Sequence, residues 1–199
     1  NKSDLSVIES EGNAVSASLS INYPFGSGVS SAETGVVLYN ELDDFSIRPG
    51  YPNAYGLIGG EANKVEAGKR PLSSMSPLIM ETDSALTALG TPGGSRIITM
   101  NFLAALDVLD GRSPAEVVSR NRFHHQYLPD QVQHEPDTFS SSEKKRLRAL
   151  GHELRDVGRR YGNMQLIRRH TSSGAISGAS DPRGIGTTEV LESATPDSQ

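Results

Sequence analysis

The chain has 199 residues, 35% hydrophobic and 22% charged, which suits one ordinary domain with its own core and is too short for two comfortable ones. No apolar run approaches the roughly 18 to 20 residues of a spanning helix, so a helical membrane span is excluded, and no basic-then-apolar leader opens the sequence. Nineteen Lys and Arg against 24 Asp and Glu leave a formal charge of −5, which argues against a nucleic-acid or anionic-membrane partner, and the lack of cysteine excludes disulfides, thiolate metal sites and a cysteine nucleophile.

The chain opens on Asn1 rather than Met, so a cleavage product or a piece of a longer chain, with a partner segment, is expected. Residues 5–9 and 14–22 read as a hairpin about Glu11-Gly12-Asn13; Val15, Ala17, Leu19 and Ile21 alternate with Ser16, Ser18, Ser20 and Asn22 at the period of a strand with one buried face. A short strand is predicted over 36–40. Residues 47–70 hold Pro49, Pro52 and many Gly and Asn, a long loop of the kind that forms functional lids. Residues 78–82 and 85–89 form a second predicted hairpin, followed by Gly90-Thr91-Pro92-Gly93-Gly94-Ser95 and an apolar helix over about 95–110 carrying Ile98, Phe102, Ala105, Leu106 and Leu109. Ser113-Pro114-Ala115-Glu116 and Ser140 to Glu143 are capping boxes, the second opening a helix that ends at Gly151. Residues 163–168 and 175–180 flank Ser172-Ser173-Gly174 as a last hairpin, and 184–199 form a polar tail. Hairpins with helices between them and no repeated βαβ unit indicate an α+β layered sheet fold.

The Gly93-Gly94 turn lies where a strand feeds a helix N-terminus, so its amides can receive an oxyanion; a tight strand-to-helix turn accounts for it equally. Ser73 and Ser74, between Pro71 and Pro77, offer rigid donors to a carboxylate or form a surface turn. Asn40, Glu41, Asp43 and Asp44 suit an ammonium group or make a solvated acidic turn. His124 and His125 are adjacent, and His134, His152 and His170 lack ligand spacing, so no metal is assigned. Nine Lys and Arg between 141 and 170 read as a solvated helix face rather than a nucleic-acid surface.

Taken in order, Glu11-Gly12-Asn13-Ala14-Val15, Asn40-Glu41-Leu42-Asp43-Asp44-Phe45, Pro52-Asn53-Ala54-Tyr55-Gly56-Leu57, Arg70-Pro71-Leu72-Ser73-Ser74-Met75, Pro92-Gly93-Gly94, Phe123-His124-His125-Gln126 and Asp181-Pro182-Arg183 resemble the small subunit of the gamma-glutamyltransferases, N-terminal-nucleophile hydrolases. The resemblance implies a four-layer αββα sandwich in which residues 1–199 form the small-subunit half of one two-chain domain, made with a large subunit as a self-cleaving precursor. It implies cleavage of gamma-glutamyl amides such as glutathione, transfer of the acyl group to water or an amine, no cofactor, and a periplasmic or secreted location. It further implies Gly93 and Gly94 as oxyanion donors and Ser20 as the residue that orients the nucleophile. Ser73 and Ser74 would hold the substrate carboxylate, and Asn22, Asn40, Glu41 and Asp44 would lie around its alpha-amine. The same alignment puts Lys2 where the family has its nucleophilic Thr, Ser3 at the second hydroxyl position and Asp4 at a His. An ammonium of unperturbed pKa near 10.4 has no hydroxyl to acylate, so Lys2 is not expected to serve. Three readings remain: a gamma-glutamyltransferase, a member that binds gamma-glutamyl compounds or a protein partner without turnover, and an enzyme using Ser3 or another group on a different amide.

Overall fold

The computed structural model describes residues 3–191. In chain order the elements are β1 (Ser3–Ile8), β2 (Ala14–Leu19), β3 (Leu78–Glu81), β4 (Ala85–Gly90), α1 (Arg96–Leu109), α2 (Pro114–Ser119), β5 (Phe123–His124), β6 (Val132–His134), α3 (Ser141–Ala149), β7 (Leu154–Asp156), β8 (Gln165–His170) and β9 (Ile176–Ser180). A four-stranded antiparallel sheet of order β3-β4-β8-β9 forms the centre. Its run Ala85 to Gly90 is apolar on both faces apart from Thr87, because both faces are covered. Leu89 and Leu166 pack with Ile97, Met100, Ala104 and Val108 of α1 and Val117 and Val118 of α2, while Ala88 and Ile167 pack with Ile8 of the β1-β2 hairpin. Helices, sheet and hairpin therefore stack as three layers of the αββα arrangement. The sequence reading missed β5, β6 and β7, a small mixed sheet at the side, because strands of two and three residues carry no readable period.

Both capping boxes are present, at Ser113 with Glu116 and at Ser140 with Glu143. The expected strand over 36–40 reduces to one bridge between Ser30 and Val37, since Ser31 to Gly35 close a tight turn that leaves no room for a ladder. The predicted strand over 14–22 stops at Leu19, because the Ser20 hydroxyl accepts the Asn22 N–H (2.8 Å) and Asn22 turns to φ 65°. Ser20 and Asn22 therefore do not continue one strand face.

The expected buried face of β2 is the open one: Leu19 is 62% exposed and Val15 is also exposed. Ser16 and Ser18 point inward instead and are satisfied there, Ser16 donating to the Leu89 carbonyl (2.8 Å) and Ser18 to the Asp4 carboxylate. In α1 likewise Phe102 is 60% exposed, along with Ile98, Leu106 and Leu109. Two apolar faces of the chain thus lie open. The basic stretch is not wholly a solvated helix face either, since Arg168 is buried in β8, donating to Thr87 (3.3 Å) and to the Arg112 carbonyl (2.8 Å).

A buried ionic network ties the helices to the small sheet and the C-terminal strand. Arg122 meets Asp181 (2.5 Å), and Arg183 meets both Glu135 (2.6 Å) and Asp181 (3.0 Å). Glu135 also accepts the Arg122 and Tyr161 amides, and Asp181 accepts the Met164 amide, so each carboxylate is satisfied by main chain as well as by charge.

Candidate active site

β4 ends at Gly90 against the start of the hairpin: a Cβ there would meet the Asp4 carboxylate at 2.8 Å. The chain then turns through Thr91, Pro92, Gly93 and Gly94 into α1. A Cβ on Gly93 would lie 2.4 Å from Met100 Cε, and one on Gly94 would lie 2.6 Å from the Tyr55 ring, with Gly94 at φ 60°. Both positions require glycine. The carbonyls of Gly93 and Gly94 accept the Arg96 (3.3 Å) and Ile97 (3.2 Å) amides as α1 begins. Neither glycine N–H donates to any described residue, which leaves both available for an anion at the positive end of a 14-residue helix.

Tyr55, which the sequence reading did not single out, joins this turn to the other predicted residues. Its hydroxyl donates to Asn22 Oδ1 (2.9 Å), and the Asn22 amide donates to the Asn40 carbonyl (3.3 Å). Asn40 Oδ1 accepts the Tyr23 N–H (3.1 Å), and the Tyr23 hydroxyl donates to Asp43 (3.0 Å). Burial, then the bond to Asp43, pushes the Tyr23 phenol up to about 12; burial, then the charges of Asp44, Asp43 and Glu41, raises that of Tyr55. Both phenols are therefore proton donors at neutral pH. The same field favours a cation beside residues 41–44, where Glu41 Oε1 is buried with no hydrogen-bond partner among the described residues.

Asn63 bridges from the acidic turn to the serine pair, donating to the Asp44 carbonyl (2.8 Å) and accepting the Leu72 amide (3.0 Å). Ser73 is exposed, its hydroxyl accepting the Met75 amide (3.1 Å), and Ser74 is half-buried. Asn101 of α1 donates to the Ser76 carbonyl (2.5 Å), fixing this segment to the helix that starts at the glycine turn. Asn22, Asn40 and Gly94 are thus linked through Tyr55, and Asp44 to the Ser73 segment through Asn63. Ser3 is exposed at the start of β1, opposite Leu19 in the hairpin register. Lys2 lies outside the described residues.

Gln126 clamps the loop to the helix start. Its amide donates to the Tyr55 (2.8 Å) and Leu128 (3.0 Å) carbonyls, and its oxygen accepts the Ser95 hydroxyl (2.7 Å). That oxygen lies 2.9 Å from His124 Nε2, which must carry the proton, so Nδ1 accepts from Thr99 (2.8 Å). Burial lowers the His124 pKa and keeps the ring neutral.

The gamma-glutamyltranspeptidase family model matches residues 2–191. The chain is 43% identical over 182 residues to the glutathione hydrolase proenzyme of Escherichia coli, covering 90% of this chain and 31% of that protein. It is 41% identical over 191 residues to the proenzyme of Pseudomonas aeruginosa, covering 94% and 34%, so it spans about a third of the length of these relatives. A crystal structure of a Helicobacter pylori gamma-glutamyltranspeptidase mutant superposes with a TM-score of 0.86 at 41% identity, covering 91% of this chain and 99% of that one. On the family match, these identities and the superposition, the chain belongs to the gamma-glutamyltranspeptidase family of N-terminal-nucleophile hydrolase fold.

Proposed function

We propose that this chain supplies the oxyanion-stabilising and gamma-glutamyl-binding half of an enzyme that cleaves gamma-glutamyl amides such as glutathione and passes the acyl group to water or to an amino acid or peptide. The observation that carries this is the pair of Gly93 and Gly94 amides, spent on no acceptor among the described residues at the mouth of α1. They can bind the carbonyl oxygen as it gains charge, an effect worth on the order of 10²- to 10³-fold in rate per donor. Ser73 and Ser74 hold the alpha-carboxylate, and Asn22, Asn40, Glu41 and Asp44 surround the alpha-ammonium, with Ser20 orienting the attacking group.

The working partner is a large subunit cut from the same precursor, with which residues 1–199 complete one αββα domain; the open apolar faces of β2 and α1 support this, since such faces need cover. No cofactor takes part in this scheme, and a periplasmic or secreted location follows from the family resemblance. A second reading, binding without turnover, is favoured by Lys2 at the position of the family's hydroxyl nucleophile; use of Ser3 on another amide is the third.

The test is release of a chromophore from a gamma-glutamyl anilide by the protein assembled with its large subunit, read beside intact mass and saturable binding. Release with an acyl adduct supports the enzyme. Binding without release leaves the second reading, and absence of both removes the proposal.

A further inference from the structure

Independently of the gamma-glutamyl reading, a cavity of about 290 Å³ lies on the flank of α1, lined by Arg96, Gln133, Arg155, Asp156, Val157, Arg159 and Tyr161. It draws Arg155 and Arg159 from the basic stretch that the proposed reaction does not use. Arg96, Arg155 and Arg159 have no carboxylate within ion-pair distance among the described residues, and Asp156 spends an oxygen on the Gly158 amide (2.8 Å).

Two of the residues that line this cavity each carry a buried donor with no hydrogen-bond partner among the described residues. Tyr161 is 6% exposed, and its hydroxyl has no hydrogen-bond partner among the described residues; the same is true of Arg96 Nε. The Arg96 guanidinium sits over the Tyr161 ring, 5.0 Å from its centre, and is oriented by Gln133 Oε1 (2.6 Å), so ring and cation are held together at the cavity wall. Burial pushes the Tyr161 phenol up to about 12, which keeps it a donor. Burial and then, after the opposing Tyr161 ring, the charge of Arg159 lower the Arg96 pKa, as befits two cations held close without a counter-charge. Buried donors in native proteins are almost always satisfied, so this arrangement calls for an acceptor.

We propose that this cavity binds one phosphoryl dianion, free or as a phosphomonoester. Three guanidinium groups against one carboxylate leave two net positive charges, and several forked donors with a hydroxyl suit a tetrahedral oxyanion better than a planar carboxylate, which uses one fork.

The test is titration of the full protein, with its partner subunit, by inorganic phosphate at fixed ionic strength with chloride as control, followed by calorimetry and thermal unfolding. Saturable single-site binding is expected, weakened at least tenfold in Arg159→Ala, an exposed position, and in Tyr161→Phe, which keeps the ring under Arg96. A phosphomonoester arm tells the free anion from a phosphorylated ligand, and binding of either here supports the assignment. No saturable response beyond that to chloride overturns it, including the case in which an acidic side chain of a partner fills the cavity. Undiminished binding in both variants overturns it equally.

Discussion

The Tyr55 hydroxyl donates to Asn22 Oδ1 at 2.9 Å while its ring covers Gly94, so one side chain fixes the spacing between the proposed oxyanion turn and the proposed amine site. Tyr55→Phe keeps the ring contact and removes the donor, leaving a buried Asn22 oxygen unsatisfied. The expected cost is about 1 to 3 kcal/mol of stability, read by urea denaturation, with gamma-glutamyl affinity falling alongside. An unchanged midpoint and affinity would show that the bond positions nothing.

The turns of the hairpins and the starts of α2 and α3 were legible because turns and caps act locally: Gly12, Gly174, Ser113 and Ser140 stand where their backbone roles require them. Which faces are buried was not legible. Leu19 and Phe102 belong to apolar stripes that this chain leaves open, so periodicity reports the need for cover without saying what provides it. Within the candidate site the motif glycines could be found from their strand-to-helix context. Tyr55 and Asn63 could not, since their roles arise from loop folding that brings together residues 33 and 19 positions apart; the only signal of Tyr55 was its place in a matched string, and Asn63 had none.

Protonation of His124 should loosen the Gln126 clamp. Its pKa is depressed by burial, so the unfolded state takes up the proton first as pH falls; the ring's contribution is complete above the ordinary value of 6.5 and is lost as pH falls through the lower folded value. Thermal unfolding between pH 7.5 and pH 5 should therefore show a falling midpoint, and His124→Gln should shrink that dependence. Identical pH profiles would contradict the assignment.

Asp181 should matter more than any exposed charge. Burial acts to raise its pKa, but Arg122 and the Met164 and Arg183 amides outweigh it and hold the carboxyl below its ordinary value. Its stabilisation is thus present above the ordinary value of 3.8 and is lost as pH falls through the folded value. Asp181→Ala leaves Arg122 buried and unpaired and should cost about 3 to 5 kcal/mol, seen by chemical denaturation at neutral pH. A loss below 1 kcal/mol would show that water already reaches the network.

The open stripe on α1 gives a prediction about assembly rather than folding. Phe102→Asp places a charge on an exposed position, so circular dichroism and the unfolding midpoint of the isolated chain should change little. Association with the proposed large subunit should weaken by at least tenfold in a sedimentation or light-scattering titration. Retained association would assign the stripe no part in the interface.

The central claim concerns the Gly93 and Gly94 amides, and nitrogen-resolved NMR of the assembled protein, labelled at glycine, reads them most directly. On titration with a gamma-glutamyl anilide, both amide protons should move downfield together, saturating with the ligand, and the movement should weaken in Ser73→Ala with Ser74→Ala. Glycine amides that stay in place while the ligand binds elsewhere, or that exchange slowly beforehand because they are already hydrogen-bonded, would contradict it.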